Sequence, residues 1–215
     1  MKRHYIIVIL GKFASGKTTI AKLLQDRYGF KRAITCTTRR LREGERDGVD
    51  YYFYDDSTFE EQAKGNKLVA INRVPVVVSG VDEAAMDSYR AKIINVFKRD
   101  RNIKYSKKYG LPIDKIDLEN NSYICVLEPS GYFDLVDKLG KEKVKAIYLN
   151  INDKERMFRA LNREVNPDVD SIVAKYLEEK ELYNNFEDVC DKVIDNAGTS
   201  DSAAIEIHQY ISKLI

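Results

Sequence analysis

Tyr5-Ile6-Ile7-Val8-Ile9-Leu10-Gly11-Lys12-Phe13-Ala14-Ser15-Gly16-Lys17-Thr18 is the stretch that decides the fold. Its six leading apolar residues read as a strand buried on both faces, the mark of a parallel sheet. The next eight fit G-x-x-x-x-G-K-[ST]. Ile20, Leu23, Leu24 and Tyr28 then recur at helical spacing, and Gly29 supplies a stop. Strand, glycine loop and helix together make a phosphate cradle. Glycine lets the backbone approach phosphate oxygens, and successive N–H groups at the helix start point at the anion. The expected nucleotide contacts are therefore Gly11, Ala14, Ser15, Gly16, Lys17, Thr18 and Thr19. Lys17 is placed to reach the β and γ phosphates, and the Thr18 hydroxyl to hold Mg²⁺.

Working outward, strand and helix patterns alternate at 5–10, 17–28, 122–127, 131–139, 144–149, 153–163, 170–185, 192–195 and 201–214. Such alternation predicts an α/β fold with a parallel sheet covered on both faces, three layers in all. Between about 33 and 118 the pattern changes. Val49 to Tyr54 and Lys67 to Val78 read as paired strands of a mixed sheet. The capping box Ser57-Thr58-Phe59-Glu60 opens a short helix between them. The reading is one domain over 1–215. Its core is 1–32 and 119–215, a mixed α+β subdomain is inserted at about 33–118, and a helical lid lies at about 153–176.

Composition narrows the function classes. The 215 residues are 44% hydrophobic and 33% charged, which suits a chain with a real core. Thirty-six Lys+Arg against 34 Asp+Glu leave a net charge of +2, so a nucleic-acid partner is not expected. No apolar run nears the roughly 18 residues of a membrane span, and six apolar residues after Met1-Lys2-Arg3-His4 are short for a signal peptide. A cytoplasmic protein with no membrane partner is expected. Cys36, Cys125 and Cys190 lie far apart without metal-ligand spacing and read as reduced thiols.

A second phosphate site is suggested by Thr35-Cys36-Thr37-Thr38-Arg39-Arg40-Leu41-Arg42-Glu43-Gly44-Glu45-Arg46-Asp47-Gly48-Val49-Asp50-Tyr51-Tyr52-Phe53. Hydroxyls precede arginines, glycines punctuate a charged turn, and an aromatic strand follows. Arginine suits a bidentate grip on phosphate, and tyrosine and threonine add donors. The segment resembles the guanylate kinase signature S-x-x-T-T-R-x-x-R-x-G-E-x-x-G-x-D-Y-x-F, with Thr35 at the leading serine. This resemblance implies a P-loop nucleoside monophosphate kinase in which Arg39, Arg42 and Tyr51 hold the phosphate of GMP. Lys108-Tyr109-Gly110-Leu111-Pro112 resembles the family's Y-Y-G-[TSL], which adds Tyr109 to the acceptor site. Ser122 to Gly131 resembles its D-x-D-x-Q-G strand. Glu128 falls on the second acid, a guanine contact, and Val126 replaces the first.

The helix from about Asp153 carries Arg156, Arg159 and Arg163, and Arg159 to Arg163 resembles the family's lid. Such arginines stabilise charge on the transferring phosphoryl group. Lys17, Arg159 and Arg163 are the implied catalytic residues. Asp191 to Asn196 resembles the family's D-Y-V-[IV]-x-N, which places Asn196 near the adenine of ATP. A turn asparagine before Gly198 explains that residue equally well.

The chain departs from the family at three places. Lys175-Tyr176 stands where a further arginine is common. About thirty extra residues run from about Asn72 to Tyr105. They include an amphipathic stretch, Asp82 to Lys98, and a basic one, Lys98 to Lys104. Local register also puts Ala70 where the family has a guanine-reading glutamate. The leading expectation is Mg²⁺-dependent phosphorylation of GMP by ATP. The alternatives are a different nucleoside monophosphate or sugar phosphate acceptor, and a non-catalytic nucleotide-binding module. Oligomeric state is not readable from the sequence.

Overall fold

The run Ile6–Leu10 forms β1, and all five side chains are buried. Ile6, Val8 and Leu10 enter one core cluster while Ile7 and Ile9 enter another, because successive side chains of a strand point to opposite faces. The computed structural model describes residues 3–42, 44–75, 105–163 and 165–215. The expected helix over Asp82 to Lys98 and the basic stretch after it lie outside the described residues.

The first sheet has five strands, all parallel. In chain order they are β1, β2 (Lys31–Arg32), β7 (Tyr123–Val126), β8 (Val144–Asn150) and β9 (Lys192–Asp195). Their spatial order is β2-β7-β1-β8-β9, so β1 is central. Helices α1 (Lys17–Tyr28) and α6 (Ser200–Ser212) cover one face through Ile20, Leu24, Ala204, Ile207 and Ile211. The other face packs on Tyr132 and Leu135 of α3 (Pro129–Leu139), with Tyr183 and Phe186 from the far end of α5 (Val169–Leu182) and the turn after it. The expected three layers are present. The loop leaves the C-terminal end of the central strand, where open α/β sheets bind ligands.

The second sheet is mixed: β4 (Tyr52–Phe53), β3 (Cys36–Thr37), β6 (Tyr105–Pro112) and β5 (Leu68–Pro75), in that spatial order. The expected pairing of 49–54 with 67–78 is corrected here. Those strands sit at opposite edges of the sheet, with β3 and β6 between them. Helix α2 (Asp56–Lys64) packs Phe59 against Cys36 and Leu68. Its cap is Asp55, not Ser57. Asp55 Oδ1 accepts from the Thr58 N–H at 2.7 Å and from the Ser57 hydroxyl at 2.8 Å. Helix α4 (Asp153–Leu161) starts at Asn152, whose Oδ1 accepts from the Glu155 N–H at 2.9 Å.

Candidate active site

The glycine loop spans β1 and α1 as expected. Gly16 has φ +90°, a left-handed backbone that suits glycine, and an added Cβ would lie 2.7 Å from the Asn196 amide nitrogen. Lys17 folds back on the loop, and its ammonium donates to the carbonyls of Gly11 at 2.5 Å and Lys12 at 3.0 Å. Burial lowers its pKa to about 8, although Glu179 and Glu128 act in the opposite sense. The Ser15 hydroxyl is buried and finds no hydrogen-bond partner among the described residues. Thr18 and Thr19 are exposed at the start of α1.

Asn196 is fully buried, and its amide donates 2.7 Å to the Ser15 carbonyl. The structure therefore places it beneath the loop as a prop. Its own carbonyl accepts from Arg159 at 3.0 Å. Arg159 is held by Glu155 as well, at 3.0 Å, so it lies beside the loop.

The arginine segment lies across from the loop. Arg39 makes a bidentate pair with Glu45, at 2.6 and 2.5 Å, and its guanidinium sits 4.9 Å from the Tyr51 ring centre. Glu45 also accepts from the Arg42 N–H at 2.9 Å. The hydrogen bond from Arg39 pulls the Glu45 carboxyl down to about 2, and the same bond pushes Arg39 upward. The Tyr109 ring lies 6.3 Å from the Tyr51 ring. A cavity of 290 Å³ joins these parts, lined by Thr18, Thr35, Arg39, Arg42, Tyr51, Val126 and Arg163 among others. Residues from the loop, the arginine segment and the lid thus meet around one space.

A family model for guanylate kinase matches residues 3–95. A guanylate kinase of Wolbachia pipientis wMel is 28% identical over 212 residues, covering 97% of this chain and 89% of that protein. The chain is thus similar in sequence to guanylate kinases. A guanylate kinase of Chlorobaculum tepidum is 40% identical over 65 residues, and one of Fusobacterium nucleatum 38% over 64. These two alignments cover 30% of this chain and span about a third of those relatives' length. The crystal structure of a guanylate kinase from Anaplasma phagocytophilum has a similar fold, with TM-score 0.59 and 20% identity over 99% of this chain and 87% of that one.

Against that family pattern, the Ala70 position has a physical explanation. Ala70 sits in a bulge of β5 with φ +53°, packed on the start of α3, where a Cβ added to Gly131 would lie 2.8 Å from Ala70 Cβ. Ala70 is only partly buried, and the close approach is to the backbone of α3 at Gly131. Glu128 immediately precedes α3 without capping it through its side chain, and its carboxylate accepts from Lys175 at 3.3 Å and from the Asn72 amide at 3.4 Å. Burial works against the Lys175 charge, but Glu128 and Glu178 outweigh it and raise the pKa.

Sequence reasoning named Arg156 on the helix but not its partner, and gave Glu179 and Glu45 no role. Arg156 faces inward, not toward the cavity. It is 2% exposed and pairs with Glu179 at 2.9 Å and with Asp153 at 2.9 Å. Glu179, equally buried, accepts from the Phe13 N–H through both oxygens, at 2.8 and 2.7 Å. Helices α4 and α5 are thereby tied to the loop backbone. Glu45 was visible within the motif, six residues from Arg39, but its partner was not. Among the described residues no group of three or more His, Cys, Asp or Glu side chains could hold a metal, and no helix is long and apolar enough to cross a membrane.

Proposed function

We propose that this chain transfers the γ-phosphoryl group of Mg·ATP to GMP, giving ADP and GDP. The observation that carries the reading is the single cavity bordered by Thr18, by Arg39, Arg42 and Tyr51, and by Arg163. In the reaction a phosphate oxygen of GMP forms a bond to the γ phosphorus. The bond from that phosphorus to the β–γ bridging oxygen breaks, and its electron pair stays on ADP. Such transfer needs positioning and charge neutralisation more than covalent help.

The loop residues fit a nucleotide. The buried Ser15 hydroxyl lacks a partner, and the Lys17 ammonium rests on loop carbonyls from which phosphate oxygens would draw it. A Mg²⁺ ion would be held by the Thr18 hydroxyl together with phosphate oxygens, and when bound it neutralises phosphate charge. Gly11, Ala14, Ser15, Gly16 and Thr19 complete the donor contacts. Arg159 and Arg163 close over the transferring group, and Thr35, Tyr109 and Glu128 complete the acceptor site. The fold units act as a core, an inserted acceptor-binding subdomain at 33–118 and a lid at 153–176.

A coupled ADP-release assay with GMP, dGMP, AMP, CMP, UMP and dTMP tests the proposal, with Lys17→Ala beside it to expose contaminating kinases. Turnover confined to the guanine nucleotides and lost in Lys17→Ala is expected. Ala70 is the observation favouring another acceptor, and turnover with a different member of the panel would move the reading there.

A further inference from the structure

We infer that Asn72 reads the 6-position of the acceptor base, as the donor half of a donor–acceptor pair completed by Glu128. The inference deepens the proposed GMP reading and rests on it.

The bulge at Ala70 resets the register of β5, so that Asn72 pairs with Tyr109 on β6, and Tyr109 pairs with Thr37 on β3. Directly paired residues point to the same face of a sheet. Thr37, Tyr109 and Asn72 thus form a row across that face. Tyr109 leans on Tyr51, which carries the Arg39 guanidinium. The phosphate clamp meets the row at Tyr109, its middle member. Asn72, about 5 Å from Tyr109 at one strand spacing, ends the row in an amide whose nitrogen lies 3.4 Å from a Glu128 oxygen. A nucleoside monophosphate with its phosphate on the clamp would bring its base edge to that pair.

Guanine presents an acceptor, O6, beside the N1–H and N2–H donors. A carboxylate only accepts, and so suits N1–H and N2–H. It leaves O6 without a donor. The Asn72 amide has two N–H groups. Glu128 takes one, which leaves the second for O6. The same bond fixes which end of the amide faces the base, because turning it over would set the amide oxygen against the carboxylate. Adenine, with an amino group at the 6-position, would meet a donor with a donor. Specificity then comes from a clash as well as a contact.

The test compares kcat/KM for GMP with that for 6-thioguanosine 5′-monophosphate, which keeps N1–H and N2–H but carries sulfur, a weak acceptor, in place of O6. In Asn72→Ala the ratio of the two falls roughly five- to tenfold, the worth of one hydrogen bond. Both constants falling by the same factor would reveal a purely structural role and overturn the inference, as would an unchanged GMP constant. Failure of the functional reading looks different: the unsubstituted protein would then refuse GMP altogether, and the assignment of Asn72 would fall with it.

Discussion

Replacing Glu179 with alanine is the sharpest test of how the loop is held. Glu179 and Arg156 are each 2% exposed and 2.9 Å apart. Removing one partner of a buried pair strands the other charge, at about 3–5 kcal/mol. Arg156 keeps some help. Asp153, with a 44% exposed side chain, holds it at 2.9 Å, Tyr176 lies under it at 4.8 Å, and the Phe13 carbonyl accepts at 3.3 Å. The low end, about 3 kcal/mol, therefore applies. The Phe13 N–H loses both carboxylate oxygens as well, which adds about 1 kcal/mol. A total near 4 kcal/mol is a large part of the roughly 5–15 kcal/mol that stabilises a native protein. For a chain this long the melting temperature should drop by roughly 8–16 °C.

Urea unfolding followed by circular dichroism measures the loss, and a double-mutant cycle isolates its cause. Arg156→Met alone leaves a buried carboxylate, Glu179→Leu alone leaves a buried guanidinium, and the double variant leaves neither. The double variant should lose at least 2 kcal/mol less than the two single losses combined, because an apolar replacement of both partners avoids the stranded charge. Single losses that add to the double within about 0.5 kcal/mol would refute the coupling. A loss below 1 kcal/mol in Glu179→Ala, the low edge of the cost of one orphaned N–H alone, would refute the whole account.

The remaining predictions concern the second sheet. Glu60 accepts from Arg73 and Lys108, both at 2.9 Å; burial would raise its pKa, but these two bonds outweigh it and lower it. A depressed carboxyl stabilises above its unfolded pKa and loses that contribution as pH falls through the folded value. Glu60→Gln should therefore cost about 0.5–1 kcal/mol at pH 7 and nothing at low pH, once Glu60 is protonated in both states; a pH-independent cost in urea titrations would contradict this. Arg39→Ala should raise KM for GMP at least tenfold, through loss of a charge-assisted phosphate contact, with KM for ATP little changed. A matched rise for ATP would place Arg39 outside the acceptor site.

The glycine loop was legible because its pattern lies in eight contiguous residues. Gly11 to Thr18 needed no partner from elsewhere to be read. The buried strands were legible for the same local reason, and Ile6–Leu10 sits within one residue of its expected bounds. The second sheet was not. Strands β3 and β4 are two residues long, too short for a period, and their pairings, such as Cys36 with Tyr52 and Gly110, join distant segments. The α2 cap was misplaced because Asp55 and Ser57 both offer oxygens two or three residues ahead of a helical N–H. The Asp55 carboxylate took the bond, and Ser57 became its donor. The Arg156–Glu179 pair spans 23 residues and two helices, and nothing in either local pattern announces it.

Helix α5 links these parts. Lys175 and Glu179 are four residues apart, so they share one face of it. Glu179 grips the loop at Phe13, while Lys175 grips Glu128, whose other oxygen meets Asn72 of the second sheet. The glycine loop and the second sheet are thus tied to a single helical face about one turn long. Transfer between two bound phosphates depends on their relative placement within a fraction of an ångström to an ångström. A rigid helix holding both sides sets that placement better than two loops acting separately. On the proposed reading, a slack grip at Glu179 should therefore reach the acceptor side too. Glu179→Gln keeps an acceptor for the Phe13 N–H but weakens the hold on Arg156, and it should raise KM for GMP although it touches no acceptor residue. An effect confined to ATP would show that the Lys175 and Glu179 grips act independently.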